Sequence, residues 1–86
     1  MSEERDPLLA ERETTHGSFA DNAKISQQIK SVMRSAGYLN FHPVYIEALD
    51  MVALKLARIL SGQPDIKEHW LDLGGYAKLG EERASK

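Results

Sequence analysis

The stretch Ile46-Glu47-Ala48-Leu49-Asp50-Met51-Val52-Ala53-Leu54-Lys55-Leu56-Ala57-Arg58-Ile59-Leu60 is almost wholly apolar, and its four charges fall on one side. At about 100° per residue, Ala48, Leu49, Val52, Ala53, Leu56, Ile59 and Leu60 occupy one half of a helix. Glu47, Asp50, Lys55 and Arg58 share an arc of roughly 140° on the other half. Met51 and Leu54 sit inside that charged arc, so this side is neither a plain solvated surface nor a plain core. The apolar half is expected to be the centre of the molecule. Met51 and Leu54 are expected at an interface.

A chain of 86 residues makes one domain. It buries only about 60% of the surface its unfolded form exposes, so a homo-oligomer is expected. No cysteine is present, which removes disulfides and thiolate metal sites. Met1-Ser2-Glu3-Glu4-Arg5-Asp6 has no apolar signal region, and no apolar run reaches membrane length. A soluble, cytoplasmic protein without a membrane partner is expected. Thirteen acids against eleven bases give a net charge of −2, so nothing draws the whole chain to nucleic acid. Lys24, Lys30 and Arg34, scattered among Gln27, Gln28 and Ser31, read as a solvated face.

Residues 1 to 7 read as a flexible tail, 8 to 80 as one helical domain and 81 to 86 as a frayed end. Leu8-Leu9-Ala10-Glu11-Arg12 suggests a short helix or docking turn, broken by Thr14-Thr15-His16-Gly17. Ser18 with Asp21 three residues on is close to a capping box, and the spacing predicts a helix from Phe19 to Ser35 stopped by Gly37. Its narrow apolar side holds Ile25, Ile29, Val32 and Met33. Asn22 falls there too, as a buried amide needing a structural or ligand partner. Pro43 suits the first turn of the central helix, and Ser61-Gly62-Gln63-Pro64 ends it. Asp65-Ile66-Lys67-Glu68 reads as a second capping box, opening a last helix that runs to about Leu79, with Ile66, Trp70, Leu73 and Ala77 as its buried stripe. No strand pattern appears. The expected fold is all-α: a small antiparallel bundle of three main helices plus a short N-terminal one.

Glu47 and Asp50 are adjacent on the helix surface, a geometry suited to a divalent cation. The same acids, near the helix start, with Lys55 and Arg58 near its end, also complement the helix dipole. On the last helix, His69, Asp72 and Tyr76 follow at helical spacing on the margin of the apolar side. One reading makes His69 a metal ligand or general base oriented by Asp72. The other makes His69 a helix-margin residue and Asp72 an interhelix partner for Arg58 or Lys55. Gly74-Gly75 inside a helix costs about 1 kcal/mol per glycine, so close approach of another helix is expected there. His16 and His42 lack a second ligand at zinc spacing. No catalytic motif is present, and no catalytic residues are assigned.

Glu11 to Phe19 with Asn22, Ala53-Leu54-Lys55-Leu56-Ala57-Arg58-Ile59, and Trp70-Leu71-Asp72-Leu73-Gly74-Gly75-Tyr76-Ala77 together resemble a family of small phage and prophage proteins with no established activity. The likeness runs from Leu8 to Leu79. More remotely, Glu47-x-x-Asp50 with Asp72 four residues before Tyr76 is similar to the MazG-like nucleoside triphosphate pyrophosphohydrolases. That resemblance implies an oligomer holding Mg2+ between carboxylate-bearing helices. The chain departs from the pattern: the Glu-Glu-x-x-Glu motif is absent, and His69-x-x-Asp72 stands where a second Glu-x-x-Asp belongs.

Two functional expectations follow. The first is a protein-interaction module with no cofactor, homodimeric or bound to a host or phage protein, its interface including Met51, Leu54, Gly74 and Gly75. The second is a nucleotide-binding or hydrolysing protein. It would place Mg2+ on Glu47, Asp50 and Asp72, phosphate on Lys55 and Arg58, and further nucleotide contacts on His69 and Asn22. A nucleic-acid-binding module ranks below both.

Overall fold

In the computed structural model of the protein, residues 18–86 are described. The expected tail over 1–7, the helix or turn around Leu8-Leu9-Ala10 and the break at His16-Gly17 lie outside the described residues. Among the described residues the fold is all-α, with helices α1 (Phe19–Ser35), α2 (Pro43–Leu60) and α3 (Lys67–Arg83) and a short 3-10 turn, Tyr38–Asn40. No helix among them is long and apolar enough to cross a membrane.

Local chemistry sets most of the boundaries. Ser18 Oγ accepts a hydrogen bond from the Asp21 N–H at 3.5 Å, capping α1. Beyond Ala36, Gly37 turns the chain at φ +86, a left-handed conformation that glycine adopts without a Cβ clash. His42 caps α2, its Nδ1 accepting from the Val44 N–H at 3.2 Å, and Pro43 follows in the first turn. This gives His42 a structural role that its sequence position did not suggest.

Two expected boundaries on α3 differ. Ile66, not Asp65, occupies the N-cap position, and no side chain caps the helix. Ile66 is half-buried. The helix also continues through Gly80 to Arg83 instead of stopping near Leu79. Glu81, Glu82 and Arg83 are good helix formers, and Lys78 pairs with Glu81 one turn on.

The central helix packs on both of its neighbours, with the larger contact to α3, while α1 and α3 share almost none. The alanines of α2 explain this. Ala53, Ala57 and Ala48 are buried; at helical spacing Ala53 and Ala57 share a side of α2 with Ser61, which bonds Asn22 of α1, and Ala48 shares one with Lys55, which pairs with Asp72 of α3. Ala48 and Ala57 are nine residues apart, about 180° around the helix, so the neighbours flank α2 on opposite sides. Both run antiparallel to it. Asn22 near the start of α1 meets Ser61 at the end of α2, and Asp72 of α3 meets Lys55 of α2.

The result is a layer with α2 in the middle. Its closest contacts use small or polar side chains: Ala48, Ala53, Ala57, Asn22, Ser26 and His69, together with Tyr38 and Ile59. The large apolar residues expected at the core lie off these contacts. Leu49, Val52 and Leu56 are half-buried, as are Ile25, Ile29, Met33, Ile66 and Leu73, and Ala77 is exposed. Val32 is 69%, Leu60 64% and Trp70 52% exposed. An apolar half-circumference cannot face two opposite neighbours at once, so most of it is left between them.

Ala57 is fully buried, 0% exposed. Ala57→Leu is expected to overpack the α1–α2 contact and cost about 1–3 kcal/mol. Thermal unfolding followed by circular dichroism should show a melting temperature lowered by at least about 4 °C. An unchanged melting temperature would contradict the close contact.

Candidate functional site

With α1 and α3 on opposite sides, α2 presents two remaining faces. One carries Tyr45, Leu49, Val52, Leu56 and Leu60, and the other carries Glu47, Met51, Leu54 and Arg58. The first row contains no charge. Helical spacing extends it on either side, with Ile25, Ile29 and Val32 from α1 and with Trp70, Leu73 and Ala77 from α3.

Along the α2–α3 seam this face opens into a groove of about 590 Å³, whose lining includes Phe41, Tyr45, Leu49, Val52, Tyr76 and Ala77. Phe41 lies 49% exposed at its mouth. The groove holds no charged lining residue. Where α1 meets the end of α2, the face holds a separate and more polar hollow, bordered by Asp21, Lys24, Ile25, Gln28 and Leu60. On the opposite face a smaller groove of about 400 Å³ is lined by Val44, Glu47, Met51, Tyr76 and Leu79.

The polar side chains singled out in the sequence are dispersed. Asp50 accepts a hydrogen bond from the Tyr38 hydroxyl at 2.5 Å, tying the 3-10 turn to α2. Asp72 forms an ion pair with Lys55 at 2.9 Å, the interhelix partnership that the sequence admitted. Glu47 is exposed beside the smaller groove. The three carboxylates therefore do not converge, and among the described residues no group of three or more His, Cys, Asp and Glu could hold a metal ion. Asp50 belongs to the α1 side of α2 and Asp72 to the α3 side, so α2 itself separates them.

His69 is not a margin residue. It is 1% exposed against the layer, with Nε2 3.3 Å from Gln63 Oε1. Asp72 is turned to Lys55 and does not orient it. Asn22, 2% exposed, is the buried amide expected, and its Oδ1 accepts from Ser61 Oγ–H at 2.6 Å. The same hydroxyl lies 3.0 Å from the Arg58 carbonyl oxygen. Lys55 and Arg58 are half-buried along α2.

The expected interface residues fare differently. Met51 and Leu54 are half-buried on the charged face of α2. Gly74 and Gly75 are exposed, and a Cβ added at either would meet nothing within 4 Å. The close approach expected there, by a helix of the same chain or of another copy, is not made by any helix of the described chain.

Sequence reasoning missed the apolar groove because it assigned Leu49, Val52 and Leu56 to the core. A usable signal was present: alanines about 180° apart on one helix mark two close neighbours, and whatever lies between them stays open.

Such an arrangement defines a small all-α module built as one layer, with one face on which the central helix carries no charge and with no gathered metal-holding set among the described residues. The chain belongs to the family described as a domain of unknown function (DUF6378), whose model matches residues 1–84. That description names neither phage proteins nor nucleotide hydrolases. No curated protein and no solved structure matched the chain.

The hydrogen bond to Asp50 holds the Tyr38 phenol above its ordinary pKa, with burial and the Asp50 charge adding to the effect and Arg34 opposing it. A phenol whose folded pKa exceeds the unfolded one contributes stability that is full below about pH 10 and is lost as pH rises through the folded value. Chemical denaturation between neutral pH and pH 11 should therefore show a steeper alkaline loss in the wild type than in Tyr38→Phe. Equal slopes would contradict the bond.

Proposed function

We propose that the protein is a protein-interaction module whose working surface is the face of its three-helix layer on which α2 carries no charge. One observation supports this reading above others. The row Tyr45, Leu49, Val52, Leu56 and Leu60 runs the length of α2 without a charge, and no described helix lies over it. Stable domains are built from at least two packed layers around a shared core, and a contiguous apolar patch of this kind is rare on soluble monomers. A helical partner laid along the groove would complete the second layer, as amphipathic helices do in apolar grooves.

The alternative expectation, nucleotide chemistry on Mg2+, gains no comparable support. Asp50, Asp72 and Lys55 are engaged within the fold.

The test is solvent accessibility of side-chain methyl groups, measured by paramagnetic relaxation with a soluble agent on a sample diluted until its mass is that of one chain. Leu49, Val52, Leu56 and Leu60 should relax far faster than Ile59, which is 8% exposed. Protection of Leu56 equal to that of Ile59 in the single-chain form would refute the reading.

A further inference from the structure

Resting on the interaction reading above, we infer that the partner on this face is a second copy of the same chain. The two layers pack face to face with their helices antiparallel, and each Trp70 seats in the other's α2–α3 groove.

Size fits first. Helices of 17 or 18 residues are about 27 Å long, and three lying about 9 Å apart present roughly 700 Å² of projected face. A standard stable interface buries about 800 Å² per partner. One copy therefore offers close to the whole area that a specific dimer needs. Charge fits as well. A two-fold arrangement brings a face against itself, which penalises any like charges it carries. Here α2 contributes only Tyr45, Leu49, Val52, Leu56 and Leu60, while Asp21 and Lys24 of α1, opposite in sign, lie beside Leu60 at one end of the layer, where antiparallel pairing keeps the two copies' sets apart.

Shape supplies the register. Trp70 is the one tryptophan of the chain. It stands 52% exposed, and its indole N–H donates to the Pro64 carbonyl at 2.9 Å, so the ring is held while its apolar surface faces outward. Held aromatic anchors paired with apolar pockets are the usual centres of binding energy at interfaces.

The groove is lined by Tyr76, Ala77 and Gly80 of the same α3. That is six to ten residues further along, centred about 12 Å away at 1.5 Å per residue. The Lys55–Asp72 pair fixes the levels of the two antiparallel helices, and the midpoint between Trp70 and the groove falls level with Ala53, next to Val52 on the open face. A two-fold axis lying in the interface and crossing α2 at the level of Ala53, beside Val52, places each Trp70 over the opposite groove. Both insertions are satisfied by one symmetry operation.

The test uses the full chain and its single tryptophan. Light scattering across a dilution series should show a two-chain mass giving way to a one-chain mass, and Trp70 emission should move to the red over the same concentrations. Trp70→Ala should weaken the dimer by at least about tenfold. Leu71→Ala, on the exposed outer side of α3, should leave it unchanged.

Since the chain has no cysteine, Val52→Cys adds an arm that does not depend on Trp70 variants folding. On mild oxidation it should give a covalent dimer, while Leu71→Cys should not. A dimer without the emission shift or without the Val52→Cys link overturns this pairing. A monomer at all concentrations whose apolar methyls are solvent-exposed overturns self-pairing and leaves the interaction reading intact. A monomer with those methyls protected overturns both.

Discussion

The organising constraint in this protein is the close approach of two helices to opposite sides of α2, made possible by alanine. Ala53 and Ala57 admit α1, and Ala48 admits α3. Side chains of this size let helix axes come near the lower end of the usual 8–10 Å spacing. Contacts that close leave no space for leucine or isoleucine, so the larger apolar residues of α2 are displaced to the faces of the layer. Polar groups fill part of the seam instead. Asn22 bonds Ser61 across α1 and α2, and His69 is enclosed at the α3 side with Gln63 beside it. Buried polar groups of this kind stabilise only when paired, and they fix register where small apolar side chains alone would slide.

Both the stability and the proposed activity follow from this geometry. A single layer has two faces, and here they differ chemically. One combines Glu47, Arg58 and the Lys55–Asp72 pair with Met51 and Leu54. The other is uncharged along the whole of α2 and opens into the groove beside Tyr76. The ionic face resembles an ordinary solvated surface with partly covered apolar stems. On the proposed reading this second face takes a further layer, and a copy of the same chain would supply the area and a held aromatic anchor together.

Local signals in the sequence carried much of the fold. Ser18, Gly37, Pro43 and the run Ser61-Gly62 mark the ends of α1 and α2 because caps, left-handed glycines and N-terminal prolines act within a few residues. Asn22 as a paired buried amide and Asp72 as a partner of Lys55 were likewise legible, since both follow from helix faces. Asp65 and Gly80 misled, because a half-buried Ile66 and the helix-forming Glu81-Glu82-Arg83 outweigh a single cap or breaker. The arrangement of the helices was the harder part. Periodicity shows how wide an apolar arc is, but it does not say whether that arc meets one neighbour, or two with an open surface between them. For that reason Trp70, Leu60 and Val32 read as core and His69 as margin, the reverse of what the layer requires.

The most direct measurement of the layer itself is the pattern of through-space contacts from alanine methyl groups in solution NMR, collected on a sample with mixed isotope labelling so that contacts within one chain are separated from those between chains. Within one chain, the Ala53 and Ala57 methyls should contact α1, and the Ala48 methyl should contact α3. Ile25 and Ile29 should show no contact to Leu73 or Trp70. Intrachain contacts between those α1 and α3 side chains would mean that the helices close into a triangle around Leu49, Val52 and Leu56, and the open face on which this account rests would not exist.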